Sequence, residues 1–179
     1  MDYSLLITNA LLWGSLLSLT LGIIMIASFL IAPDMWVGDY PPDIKEKYGA
    51  MSPRARKFRP WIGLLFFGAL IVIVIFALIR LRALMDFPSA FLPALWADFL
   101  TAFLVLFVFN LFDLLVIDWL IFVIIQPAPI VLPGTEGMAG YRDYAFHFRG
   151  FLVGIVFSLV GALVLALSAA LVAALLQLF

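Results

Sequence analysis

The sequence predicts an all-α integral membrane protein, a four-span transmembrane helical bundle with a short surface helix between spans one and two. Three observations carry this. The 179 residues are 66% hydrophobic and 12% charged, with a mean hydropathy of +1.23, whereas a soluble domain is about 45–50% apolar and about 25% charged. Four apolar runs approach or exceed the roughly 20 residues that cross about 30 Å of hydrocarbon. None of them alternates with the period of two that barrel strands require.

The first run, about 4–32, has no basic leading segment and is too long for the core of a signal peptide, so it is expected to be a span and not a cleavable signal. Pro41-Pro-Asp-Ile-Lys-Glu-Lys-Tyr-Gly49 predicts the surface helix, opened by Pro and Asp and stopped by Gly49. The basic stretch Met51-Ser-Pro-Arg-Ala-Arg-Lys-Phe-Arg-Pro60 leads into the second run, about 61–79. Its charges are read first as topology signals. Docking to anionic lipid, worth about 1 kcal/mol per basic residue near the surface, is the alternative. The third run covers about 99–125. Pro127, Pro129, Pro133 and Gly134 then forbid a regular helix and predict an extended, then turning, connector. The fourth run covers about 151–176. Residues 1–179 are read as a single membrane domain, with no 20–50-residue repeat and no inverted pair of broken spans.

Eight of the ten basic residues fall in the two segments that follow spans one and three, and only Arg80 and Arg82 fall on the other side. The positive-inside bias therefore places loops 33–60 and 126–150 in the cytoplasm of a multi-pass cell-membrane protein, with both termini outside.

Small residues recur at every fourth position of span four, at Gly150, Gly154, Ser158, Ala162, Ala166, Ala170 and Ala174, and more briefly in span one at Ala10, Gly14, Ser18 and Gly22. Small-xxx-small stripes let backbones approach closely where lipid offers no hydrophobic drive. The expectation is contact between spans one and four. A homodimer, or a place in a larger membrane complex, is the rival use.

Composition excludes several functions. A formal net charge of −1 argues against a nucleic-acid partner. The absence of cysteine removes disulfides, thiolate metal sites and thiol nucleophiles. A single histidine rules out bis-histidine haem and HExxH zinc sites within one chain. No phosphate-cradling glycine motif occurs, no metal site is expected, and no cofactor can be named. The lipid bilayer is the one partner the composition requires.

The polar residues inside the apolar runs are the candidates for function. Asp113 falls near the middle of span three and Asp118 about 7.5 Å closer to the expected cytoplasmic face. Central carboxylates cost about 2.5–3.5 kcal/mol each on an insertion scale, and intramembrane acids are functional by default. On an α-helix, at about 100° per residue, the two carboxylates stand about 140° apart. They share a broad polar face with Asn110 but form no paired-carboxylate site. No Lys or Arg lies at the depth of Asp113, which is expected to be neutral, to bind a cation or ligand, or to bond to hydroxyls. Ser18 is the hydroxyl expected near Asp113 and Ser158 the one near Asp118. Asp118 is also within the expected reach of Arg142, Arg149 and His147. In Tyr141-Arg-Asp-Tyr-Ala-Phe-His-Phe-Arg149, a helix would put Tyr141, Tyr144 and Phe148 on one face and pair Asp143 with His147. That pair suits a general base, while the simpler account is an aromatic belt with snorkelling charges. Arg80, Arg82, Asp86 and Asp98 are read as an interfacial charge cluster.

Three functions follow in order of expectation. The first is a non-catalytic membrane subunit or scaffold. The second is a small proton- or cation-coupled transporter or ligand-binding protein using Asp113 and Asp118. The third is a lipid-modifying enzyme in which His147, Asp118 and the cytoplasmic loops converge. The orientation is directly testable, because the chain has no cysteine of its own. Gly49→Cys should react with an impermeant maleimide only after the cytoplasmic side is opened, and labelling of intact cells would reverse the topology.

Overall fold

The computed structural model describes residues 2–84 and 90–176, and among these there is no strand. Helix α1 (Tyr3–Ile31) leads through a 3₁₀ segment (Pro33–Asp39) to the short α2 (Pro42–Tyr48). Helix α3 (Pro53–Leu84) follows, then α4 (Phe91–Phe112), which continues as a π-helix over Asp113–Ile125. A second 3₁₀ turn (Ala139–Arg142) precedes α5 (Tyr144–Leu176). Among the described residues, four stretches are long and apolar enough to cross a membrane, namely Tyr3–Ile31, Pro53–Leu84, Phe91–Ile125 and Tyr144–Leu175. The chain is a polytopic, all-α membrane protein.

Spans two, three and four begin about two turns before their apolar runs do. For spans two and four the reason is capping, which hydropathy does not register. Ser52 Oγ accepts the Ala55 N–H at 3.2 Å, and Pro53 takes the first helical position, where its missing N–H costs nothing. The helix then runs through Pro60. Asp143 Oδ1 accepts the Phe146 N–H at 2.8 Å and starts α5 in the same way. Helix α2 lies where it was expected and ends at Gly49, whose φ of +85° suits glycine and whose N–H donates to the Lys45 carbonyl.

At Asp113 the third span changes its winding. Over Asp113–Ile125 the backbone bonds run from i to i+5, for 13 residues, although π-turns ordinarily occur singly inside α-helices. The segment closes on Gln126, whose N–H donates to the Ile121 carbonyl at 2.9 Å. Gln126 is left-handed, with φ of +48°, a region non-glycine residues seldom adopt. Its side-chain amide holds it there by donating to the carbonyls of Val123 (2.8 Å) and Tyr141 (3.1 Å).

The chain packs as two compact units. One comprises Met1–Ser18, Leu70–Asn110 and Leu152–Phe179. Here Asn9 donates to the Ala77 carbonyl at 3.0 Å, and Trp13 stacks on Phe76. A Cβ added to Gly14 would stand 2.6 Å from Val108 Cβ, and one added to Gly154 would meet the Asn110 amide. These two glycines therefore face span three. In the stripe of span four, Ser158, Ala162 and Ala166 are buried, while Gly150 and Ala174 are exposed. The expected charge cluster contains an ion pair in which the half-buried Arg82 donates through Nε and Nη2 to the buried Asp98. Asp86 lies outside the described residues.

The other unit comprises Leu19–Ala69 and Leu111–Phe151. Its core is aromatic: Tyr40, Phe122 and Tyr141 meet with centroids 4.9–6.2 Å apart, beside the fully buried Ile44 and Leu132. The segment after span three is a series of turns and not an extended strand. Ile130, Thr135 and Met138 donate back to Pro127, Leu132 and Thr135. Three prolines remove helical donors, and the buried Ile130 and Leu132 draw the segment inward.

The two faces of α5 should respond differently to substitution. Ala162 is fully buried and Leu159 is 40% exposed. Ala162→Leu should lower thermal stability in detergent by about 1–3 kcal/mol through overpacking, more than Leu159→Ala does. Equal losses would mean that this face carries no packing.

Candidate functional site

The π-winding brings its two carboxylates closer than an α-helix would. A backbone that closes its bonds on residue i+5 places residues five apart about one turn above each other. Asp113 and Asp118 are five apart. On such a winding they stand at a smaller angle around the axis than on the α-helix the sequence suggests, and Asp118 and Asp39 both act electrostatically on Asp113. Asp113 Oδ1 is buried without a protein partner.

Asp118 pairs with His147, its Oδ1 lying 3.0 Å from Nδ1. The imidazole is only 5% exposed and sits between the rings of Phe122 (4.8 Å) and Phe146 (5.4 Å). His147 is therefore a buried residue and not a snorkelling charge. Its Nε2 is buried with no protein partner. With Nδ1 turned to a carboxylate, Nε2 is left as the proton acceptor of the neutral ring, or as a donor when the ring is charged.

Asp143 does not orient His147. One of its oxygens caps α5 and the other lies 3.9 Å from Arg149. A carboxylate at a helix start meets unpaired backbone N–H groups, and this local bond prevails over the i, i+4 pairing. Tyr141 also leaves the expected aromatic face. It lies in the 3₁₀ turn before α5 and is buried, while Tyr144 and Phe148 are exposed. Asn110, Ser18 and Ser158 belong to the first unit. The serine hydroxyls donate to carbonyls of their own helices, Ser18 to Gly14 and Ser158 to Gly154, each at 2.8 Å.

Several supporting residues have roles that a linear reading does not assign. Asp39 ends the 3₁₀ segment. Crowding by its surroundings raises its carboxyl above the usual range, Arg59 and Lys45 oppose the rise, and Asp118 adds to it, although Asp39 itself is exposed to solvent. Tyr40 donates to the Ile130 carbonyl at 2.8 Å, and burial keeps its phenol neutral far above the usual range. Asp43 accepts the Gly140 N–H at 2.9 Å and so ties α2 to the turn before α5. Tyr141 Oη accepts the Leu132 N–H at 2.8 Å and bonds Thr135 Oγ1 at 2.7 Å. A tyrosine beside a proline or glycine was the available hint, and it marks many surface turns as well.

The arrangement is a carboxylate-oriented imidazole with two further carboxyls in electrostatic reach of its carboxylate, and with His147 Nε2, Asp113 Oδ1 and the neighbouring Trp119 Nε1 buried and unpaired. Such atoms cost about 1–3 kcal/mol each when left unsatisfied, which points to a partner from outside the chain. Among the described residues, no three histidine or acidic side chains are arranged to hold a metal ion. No family model, curated protein or solved structure matches the chain.

The scaffold behind the site can be tested through Tyr141. Tyr141→Phe leaves the buried Leu132 N–H without an acceptor and should cost about 1–3 kcal/mol, read as a lower melting temperature. Tyr144→Phe, at an exposed position, should change little. Coincident melting curves for the two variants would remove Tyr141 from the scaffold.

Proposed function

We propose that this four-span membrane protein is a small proton- or cation-coupled transporter or ligand-binding protein acting through His147, Asp118 and Asp113. In this reading loops 33–60 and 126–150 face the cytoplasm and both termini lie outside. The observation that carries it is the buried His147 Nε2, unpaired while Nδ1 is held by Asp118. Three carboxyls within electrostatic reach of one another favour a proton or a cation over an anion. A purely structural role is less favoured than the sequence suggested, because Asp113 Oδ1 and His147 Nε2 are buried without a partner in the chain. A lipid-modifying enzyme is the second reading, since a carboxylate-oriented imidazole is also a general base.

Reconstitution into liposomes holding a pH-sensitive dye tests the proposal. Under an imposed membrane potential, the wild-type protein should take up protons faster than protein-free liposomes. Asp113→Asn and His147→Gln should fall to the protein-free rate while remaining monodisperse and folded. Wild-type flux at the protein-free rate, or flux unchanged in both variants, would overturn coupling to protons.

A further inference from the structure

A second feature of the same unit lies beside the first turns of α3. A groove of about 740 Å³ is walled by Met35, Trp36, Phe66 and Phe67 and carries Arg56 and Arg59. We propose that it binds one anionic phospholipid, with the phosphate on the two arginines and an acyl chain along the aromatic wall.

The groove is amphipathic in the order of a phospholipid. Arg56 and Arg59 are three residues apart, hence on one face of α3, and both are exposed. The apolar run of the helix begins directly after them at Trp61. Along α3 the two arginines therefore directly precede the Ile62, Gly63, Phe66 and Phe67 that line the same groove. Its volume falls in the range of about 300–1,000 Å³ typical of small-ligand sites.

The walls are held in place from within the chain. The indole N–H of Trp36 donates to Ser28 Oγ, and its ring lies 6.3 Å from that of Phe66. Asp34 accepts from both the N–H and the hydroxyl of Ser52, which fixes the start of α3 against the 3₁₀ segment. Gly63 also lines the groove, and a Cβ added there would have no atom within 4 Å. The space is thus open where a chain would lie.

Charge chooses the occupant. Guanidinium groups match phosphate oxygens in forked pairs. Among the described residues neither Arg56 nor Arg59 makes an ion pair within 4 Å, although Arg59 does act on Asp39. A zwitterionic headgroup would bring its own cation against the two arginines. An anionic one would not, and basic residues at a membrane surface already favour it.

Native mass spectrometry of the full chain released from detergent tests this. Dioleoyl phosphatidylglycerol should form a single retained adduct at a concentration about tenfold below that needed for dioleoyl phosphatidylcholine. Arg56→Gln combined with Arg59→Gln should abolish that preference, while Arg54→Gln, outside the groove, should keep it. Gly63→Leu, which fills the groove, should remove the retained adduct with the arginines intact. Equal binding of the two lipids, loss with Arg54→Gln, or survival in the double arginine variant would overturn the proposal. So would an adduct with glycerol 3-phosphate, which would make the site one for free phosphate. The arginine variants change exposed side chains only, so their readout stands even if Gly63→Leu fails to fold.

Discussion

Hydrocarbon neither donates nor accepts hydrogen bonds, so a chain that crosses it must satisfy its own polar groups. The helices here follow that constraint closely. Thr8, Ser18, Thr101, Ser158 and Ser168 each return their hydroxyl proton to a carbonyl four residues earlier in the same helix. Asn9 gives its amide to the backbone of α3. Asp98, fully buried, is matched by Arg82, and removing one partner of such a pair strands a charge at a cost of about 3–5 kcal/mol.

Against that background the exceptions gain meaning. Among the described residues Asn9 Oδ1, Trp13 Nε1 and Trp119 Nε1 are buried without a hydrogen-bond partner, and so are two atoms of titratable side chains in the second unit, Asp113 Oδ1 and His147 Nε2. Both belong to the surroundings of the π-wound segment, the part of span three whose geometry departs from the common helix. Single π-turns inside α-helices frequently mark functional sites. The local gain is that Asp118 can hold His147 while remaining in electrostatic reach of Asp113.

The π-segment needs an anchor where it ends, and the loops supply one. Gln126 sits in a left-handed conformation secured by two side-chain hydrogen bonds, one of them to Tyr141. Tyr141 in turn fixes the proline-rich connector through Leu132 and Thr135, and Tyr40 holds the same connector through Ile130. What reads as a plain linker, Pro127 to Gly137, is thus anchored through its buried Ile130, Leu132 and Thr135, while Pro133, Gly134, Glu136 and Gly137 stay exposed at its turns. Proline and glycine set where the chain must turn, and tyrosine hydroxyls decide what the turns bind.

Fold class, span number and the short helix α2 were legible in the residues themselves, because the length of an apolar run and the chemistry of prolines and glycines are local properties. The candidate polar residues were legible too, since an acid within an apolar run is conspicuous wherever it lies. Their partners were not. Asp143 and His147 are four apart and suggest a pair, yet capping takes Asp143 and the distant Asp118 takes His147. The winding of span three was equally hidden, because nothing in Asn110–Trp119 separates i+4 from i+5 bonding. Those choices rest on which groups, far apart in sequence, compete for the same hydrogen bonds. Only the folded chain decides that competition.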